Sequence, residues 1–514
     1  MGQNFVSCDR EQVLLLPPSL TDWLPEDHLV WTVLGAVERM DLSRFYGTYR
    51  ANGQGRAAYD PAMMVGLLLY AYCVGIRSSR QIERACRGDV AFSVITAMEV
   101  PDHSTVAEFR RRHQDAIAEL FVDVLGLCAE AGMVSLGEVS IDGTKMHASA
   151  SYDRNRGYAS IVEEILDQAE EADREDDERF GDRRGDEVPE QLRTREGRRA
   201  ALEAARERLQ AERETRQAAG EEVVARVELE LSPEQFVTRP DGRQAWLRQG
   251  RRELEAQREA QASAIPRDRE QRILEVKRRF DEELAFTHAA NRCYEQWRAQ
   301  GKMRNGRRLH SNNMKPYVPP LVPEGKINTT DPDSGVMIQQ GQPPRQGYNA
   351  QAAVTTGQII VGAELSTTAP DFGKLEPVLD AALRDLRQAG IDDRPVTVLA
   401  DAGYWHKKQI ERIVAAGTQV LVPPDSGLRE GARPGWEGGL YAFMRRILDT
   451  DHGRELYAKR KLSIEPVFGQ IKANRRIDHF KRRGRSAVRS EWRLITASHN
   501  LLKLHNSQIA PATG

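Results

Sequence analysis

Apolar and polar positions alternate along this chain with two different periods, and the change between them divides it. Up to about residue 130 the spacing is helical. Asp60-Pro61 supplies an N-cap and a first-turn proline for the apolar run "AMMVGLLLYAYCVGI". Ser78 with Gln81, and Thr105 with Glu108, predict capping boxes for "RQIERACRGDVAFSVIT" and "VAEFRRRHQDAIAELFVDVLGLCAEAG". Short turns between these helices suit a helix-turn-helix-like unit or an all-helical packing domain with Arg110, Arg111 and Arg112 on a solvated face. At Glu138 the period shortens to that of a strand, "EVSIDGT". A long charged segment follows, with one apolar stripe of Ile273, Val276, Phe280 and Leu284 that predicts solvated helical hairpins. The Asp- and Gly-rich stretch near 173–186 predicts a flexible turn inside it.

Strand spacing returns after residue 318. "GYNAQAAVTT" and "IIVGAELSTT" flank Gly357-Gln358 as a hairpin, and the amphipathic "KLEPVLDAALRDLRQAG" stops at Gly390 in a C-cap position. "PVTVLADAGY", "HKKQIERIVAAG" and "QVLVPP" then read as strand, helix and strand. A Pro- and Gly-rich loop at 422–439 precedes a basic helical stretch, and "TDPDS" at 330–334 reads as a turn. The succession is strand, two-strand hairpin, helix, strand, helix, strand, helix. It predicts an α/β fold, an RNase H-like core with a mixed sheet and flanking helices, interrupted after its first strand by a long helical insertion. The expected organisation is a helical N-terminal domain over 1–130, a catalytic domain over 131–158 and 318–510, and a charged helical insertion over 159–317.

Composition changes this picture little: 40% apolar and 29% charged residues describe a globular chain with a sizeable core. Charge distribution changes it more than the net −2 does. Residues 170–187 hold ten acids and four bases, whereas 454–494 hold thirteen Lys or Arg and four acids, a stretch suited to a polyanion. The five cysteines are scattered without metal-like spacing, as in a reducing compartment. The longest apolar run is too short, and too rich in tyrosine, for a membrane span. Val6 stands where a myristoylation motif needs Ser or Thr, and no signal-peptide pattern opens the chain, so a cytoplasmic protein is expected.

Three carboxylates carry the candidate chemistry. Asp142 and Asp401 each close a short β-branched apolar run, and Glu465 lies at the head of the basic helical stretch. Carboxylates delivered from two strand ends and a helix form a natural cage for hard divalent cations. On a helical projection Ile464, Val467, Phe468 and Ile471 would pack on the sheet, while Glu465, Gly469, Lys472 and Arg476 share a strip beside them. Pro466 predicts that this helix starts or kinks near Ser463. Each aspartate taken singly is also a good turn former. "SIDGT" resembles part of the DxDGT string of aspartyl-phosphate phosphatases, but Ser140 occupies the nucleophile's place.

The segments "IDGTK", "GYNAQAAV", "VLADAGY" and "EPVFGQIK" resemble those of DDE-type transposases from bacterial insertion sequences, most of all the branch with a Tyr-Arg-Glu-Lys motif around the glutamate. The N-terminal "YDPAMMVGLLLYAYCVGIRSSRQIERAC" and "PDHSTVAEFRRRH" are similar to that family's helical N-terminal domain. The resemblance implies that Asp142, Asp401 and Glu465 are the catalytic and metal-binding triad, and that Tyr457, Arg460 and Lys472 fill the other motif places. Four residues separate Arg460 from Glu465 where the motif has three, with Lys461 at the expected place, so either cation is a candidate for the phosphate contact. It further implies two Mg²⁺ ions, with Mn²⁺ as a substitute, acting in an in-line displacement. Lys472, Arg475 and Arg476, together with Lys481, Arg482, Arg483 and Arg485, are expected to grip double-stranded DNA, both element ends and target. The N-terminal helices would read the terminal repeats. A homodimer bridging two DNA ends, no membrane association, and a bacterial, cytoplasmic and nucleoid-associated location are expected. Trp405 is expected to pack in the core or to stack on a displaced base. The alternative functions are a transposase-derived DNA-binding protein without catalysis, and a metal-dependent endonuclease without strand transfer.

Overall fold

The computed structural model describes residues 19–50, 57–180, 265–266, 268–300, 318, 320–339, 341–425 and 438–509. Its centre is a mixed sheet of β1 (Glu138–His147), β2 (Gly335–Met337), β3 (Arg345–Thr355), β4 (Ile360–Ser366), β5 (Thr397–Ala400) and β6 (Gln419–Leu421). The strands run in the order β6, β5, β1, β3, with β2 and β4 both pairing with β3. β1 lies antiparallel to β3 and parallel to β5, and β5 lies parallel to β6. The predicted β3–β4 hairpin is present, with Gln358 in a left-handed conformation (φ 64°) at its turn. This mixed sheet with flanking helices is consistent with the expected RNase H-like core.

The N-terminal helices cap largely as the pattern predicts. Asp60 accepts a hydrogen bond from the Ala62 amide (2.7 Å) at the head of the buried helix Pro61–Cys73. Neither capping box forms, however. Ser78 sits at an N-cap position without a side-chain bond, and the helix His103–Arg112 is capped by Asp102, whose carboxylate accepts from Thr105 N (2.7 Å). Asp outcompetes Thr here because it starts the helix one turn earlier and presents a charged acceptor to the helix dipole. His113 interrupts the expected continuous helix, and a second runs over Gln114–Glu130.

The helical N-terminus and the sheet share one hydrophobic core, so residue 130 does not divide compact units. One unit comprises the described parts of Met1–Tyr152 and Asp333–Gly514. The C-terminal helix Arg485–Ile509 joins its layers: Trp492 Nε1 donates to the Gln351 carbonyl in β3 (3.0 Å), and Arg493 Nε donates to Ala118 O in the helix Gln114–Glu130 (2.8 Å). Arg110 was expected on a solvated face but is buried, donating to the Arg77 carbonyl (2.8 Å); Arg111 remains exposed. The second unit comprises the described parts of Asp153–Pro332. Its helices Tyr158–Phe180 and Arg269–Gln300 bury Ile161, Ile273, Val276 and Phe280 together, so the apolar stripe is real, although Leu284 is only half-buried. The expected flexible turn falls within that first helix up to Phe180 and otherwise lies outside the described residues, as do 181–264 and 301–317 of the insertion. Among the described residues, no helix is long and apolar enough to cross a membrane.

Candidate active site

Asp142 lies in the middle of β1, not at its end, because the strand continues to His147. The neighbouring β5 is the strand that ends. Ile141 pairs with Ala400 in the last parallel register position, after which Asp401 caps a 3₁₀ turn by accepting from Gly403 N (2.8 Å). The two aspartates are therefore successive residues on adjacent strands, at the point where the strands part. Arg460 reaches both: its Nη2 lies 2.9 Å from Asp142 Oδ2 and 3.6 Å from Asp401 Oδ2. Burial pushes the Asp142 carboxyl up to about 6, against the pull of Arg460 and assisted by the charge of Asp401.

Arg460 belongs to the helix Asp451–Gly469, which packs against β1. Lys459 Nζ pairs with Glu138 (2.6 Å), and Ser463 Oγ shares a hydrogen bond with Ser140 Oγ (2.7 Å). Ser140, the position a phosphatase nucleophile would need, thus serves to tie strand to helix. The helix runs through Pro466 without starting or breaking near Ser463. A proline leaves the carbonyl four residues earlier without its donor. That carbonyl, Leu462 O, instead accepts from Gln358 Nε2 (3.1 Å) at the β3–β4 turn. Beyond Gly469 the backbone widens into a π-helical turn, Gln470–Asn474, and Arg476 leaves the helix at φ 55°. The expected strip with a 3.6-residue period therefore ends before Lys472.

The other expected site residues separate into distinct environments. Glu465 is exposed on the same helix, about 1.4 turns beyond Arg460. Among the described residues, no three His, Cys, Asp or Glu side chains converge as a metal cage. Lys461, Arg476, Lys481 and Arg483 are exposed, Tyr457 and Lys472 are half-buried, and Lys472 Nζ donates to Lys145 O (2.8 Å). Arg482 is half-buried against Gln114 Oε1 (3.0 Å). Arg475 and Arg485 lie in the core. The Arg475 guanidinium donates to Ser498 Oγ (2.7 Å) and core carbonyls, and Arg485 donates to Leu365 O (3.1 Å). Their place in basic runs led to the expectation that both face DNA; the backbone turns them inward instead, Arg475 at the end of the π-helical turn and Arg485 at the head of the C-terminal helix. Trp405 is buried edge-on to Tyr441 and packs in the core.

Sequence reasoning missed a further acid. Asp371, from the loop after β4, accepts from Lys145 Nζ at both oxygens (3.2 and 3.1 Å), from Asn349 Nδ2 (2.7 Å) and from Gln351 Nε2 (2.9 Å). Gln351 Oε1 in turn accepts from the buried Tyr404 hydroxyl. The glycine after Asp142 makes room for this acid. A methyl group at Gly143 would stand 2.7 Å from Asp371 Oδ1 and 2.6 Å from Asn349 Oδ1, whereas one at Gly403 would crowd Asp401 Oδ1 (2.9 Å) and meet Asp371 Cβ only at an ordinary contact distance of 3.7 Å. Gly143 has no turn to make; it is a clearance in a strand. The signal was available in "IDGTK", but Asp-Gly is such a common turn pair that the clearance was invisible without a partner.

All the acidic donors are hard oxygens of the kind that hold divalent cations, and Asp142 and Asp401 already share one cationic group. The site therefore suits a divalent ion. Residues 18–112 match the family described as "Transposase domain (DUF772)", and residues 329–501 match "Transposase DDE domain". The second match covers Asp401 and Glu465 and begins downstream of Asp142. No curated protein and no solved structure matches the chain. Members of the DDE family generally use divalent metal ions, bind DNA and act in transposition. With a transposase domain on its N-terminal helices and a DDE domain over its sheet, the chain belongs to the DDE-type transposases of insertion elements.

Proposed function

We propose that this transposase cleaves DNA at the ends of its element and joins the freed 3′-hydroxyl to target DNA in the same site. The observation that carries the reading is the placement of Asp142 and Asp401 side by side where β5 leaves β1, with Arg460 between them. Asp142 and Asp401, with Glu465 from the helix that carries Arg460, would hold two Mg²⁺ ions, for which Mn²⁺ would substitute; such ions would supply Lewis-acid activation of the attacking oxygen and stabilisation of the leaving one. Arg460 neutralises the aspartate pair before the ions arrive and faces the scissile phosphate afterwards. Tyr457 stands one turn earlier and completes, with Arg460, Glu465 and Lys472, a Tyr-Arg-Glu-Lys motif. Lys461, Lys472, Arg476, Lys481 and Arg483 hold the DNA backbone, with Arg482 at the margin. This set excludes Arg475 and Arg485, whose guanidinium groups are committed to core acceptors. The N-terminal helices read the element ends, two copies of the chain bridge a pair of ends, and the reaction takes place on cytoplasmic DNA.

The test is purified protein with Mg²⁺ and labelled duplex carrying the element's ends. Cleavage followed by joined products supports the reading. Cleavage without joining reduces it to a nuclease, and no cleavage with any divalent metal removes the enzymatic reading. Asp142→Asn, Asp401→Asn and Glu465→Gln each abolish turnover while leaving DNA binding largely intact; near-normal turnover in any one of them removes that residue from the triad.

A further inference from the structure

We propose that the helix Ser79–Gly88 enters the major groove of the element's end and that Arg80, Gln81 and Arg84 contact its base edges. This rests on the reading above that the N-terminal helices recognise the element ends, and it names the helix and the side chains.

The helix turns one face inward and the opposite face to solvent. Ile82 and Cys86 are buried, whereas Arg80, Gln81, Arg84 and Arg87 are exposed. At about 100° per residue, Arg80, Arg84 and Arg87 fall within about 60° of one another, on the side away from Ile82 and Cys86. Like charges at this spacing repel, so the stripe opposes the stability of its own helix. Elsewhere on the described surface, helix arginines stand beside acids: Arg111 with Glu108, Arg278 with Glu275, Arg412 with Glu376. Here the helix's own acid, Glu83, is committed to Arg87 (2.8 Å) and to His103 Nδ1 (2.9 Å). Arg80, Gln81 and Arg84 have no side-chain partner among the described residues. Arginine and glutamine are the side chains whose paired polar atoms match the guanine and adenine edges of the major groove. A ten-residue helix, about 15 Å long and about 10 Å wide, fits that groove, which is about 12 Å across.

The helix is also tied to the turn that would hold the phosphate backbone. Arg77, just ahead of it, donates to His479 O (2.6 Å) and pairs with Glu491 (3.0 Å), both side chains being buried. The second oxygen of Glu491 accepts from the amides of Lys481 (2.9 Å) and Arg482 (3.0 Å). One carboxylate thus joins the head of the helix to the basic turn. Gly75 closes the same contact: at φ 80°, a methyl group there would stand 2.7 Å from Arg475 O, just beyond the π-helical turn. His147 N donates to Asp478 O (3.0 Å), which places the basic turn at the end of β1, five residues or about 17 Å from Asp142. A duplex turn spans about 34 Å. One duplex can therefore reach the aspartates and the helix together, with phosphates on Lys481 and base edges on Arg80 and Arg84.

The test measures equilibrium binding in EDTA to two labelled duplexes of equal length, one carrying an element end and one a scrambled sequence, across a salt series. Arg80→Ala, Gln81→Ala and Arg84→Ala are set against the parent and against Arg111→Ala on the neighbouring helix, with thermal melting as the check on folding. Each of the first three weakens binding to the end on the order of 10-fold, the scale of one bidentate base contact. Each weakens binding to the scrambled duplex much less. Arg111→Ala binds as the parent does, and all melting temperatures stay near the parent's. Equal losses on both duplexes, with the slope of log affinity against log salt reduced by about 0.9 for each arginine removed, make these side chains phosphate contacts and overturn the proposal. An end preference that survives all three substitutions, or that is lost in Arg111→Ala instead, overturns it too. A parent that binds both duplexes alike removes end recognition as a whole. Because no metal is present, the outcome is independent of the chemistry: a parent that prefers the end but cleaves nothing with Mg²⁺ removes the cleavage reading alone.

Discussion

Replacing Asp142 by Asn should stabilise the metal-free protein while abolishing its reaction. In the structure the Asp142 side chain is only 18% exposed and its carboxyl is pushed up to about 6, chiefly by burial and then by the charge of Asp401, with Arg460 opposing. A folded-state pKa above the unfolded value means that the folded state binds the proton more tightly. Stability from this group is fully present below the unfolded value of 3.8 and is lost as pH rises through about 6. At pH 7 the loss is complete and amounts to about 3 kcal/mol, at roughly 1.36 kcal/mol for each pKa unit. An Asn side chain still accepts from Arg460 and carries no charge, so it escapes the whole of that loss. At about 2 °C for each kcal/mol, the low end expected for a large unit, Asp142→Asn should melt about 6 °C above the parent in EDTA at pH 7. The gap should close as both proteins are taken to pH 4, where the parent carboxyl is protonated too. Adding Mg²⁺ should raise the parent's melting temperature and leave that of Asp142→Asn nearly unchanged, since the charge that recruits the ion has gone. The assay is thermal unfolding followed by circular dichroism over a pH series. A variant that melts at or below the parent at pH 7, or a gap independent of pH, refutes the reasoning that this carboxylate is held at the expense of stability.

Other predictions follow from elements farther from the chemistry. Arg493 and Asp385 are each 1% exposed and paired at 2.8 Å, so Arg493→Met should cost about 3–5 kcal/mol in urea unfolding, and adding Asp385→Asn should restore at least half of it; equal stability of the single variant and the parent would show the pair to be inert. His113 is buried against Phe45 and Phe109, and burial pulls its imidazole down to about 4. A depressed histidine gives full stability above its unfolded value of about 6.5 and loses it as pH falls, so the parent should lose up to about 3 kcal/mol more than His113→Gln between pH 7 and pH 4; parallel pH profiles would contradict this. Gln358→Ala removes the donor to Leu462 O and keeps a side chain at positive φ, whereas Gln358→Gly relieves that strain. The glycine variant should therefore unfold about 1 kcal/mol later than the alanine variant; the reverse order would show that Gln358 is not strained.

Particular elements show how far the sequence could be read. The hairpin at Gly357-Gln358, the cap at Asp60 and the strand–helix–strand run around Asp401 were legible, because each is written in residues within a few positions of one another. The break at His113 and the unbroken passage through Pro466 were not. In the second case the carbonyl left without a donor, Leu462 O, is satisfied by Gln358, 104 residues away, and no local pattern announces such a partner. Arg475 and Lys461 looked alike as cations on one basic helix, yet one ends among core carbonyls and the other in solvent.

The sequence by itself determined the period of each segment, hence the strands, the helices and the aspartates that close two of the apolar runs, because side-chain direction repeats locally at 2.0 or 3.6 residues. Only the tertiary structure decided which of these side chains meet. Asp142 and Arg460 are 318 residues apart, and Lys145 and Asp371 are 226 apart. Their encounters depend on sheet register, on where β5 stops, and on the clearance at Gly143. Those are properties of packing between elements, and periodicity within any one element does not contain them.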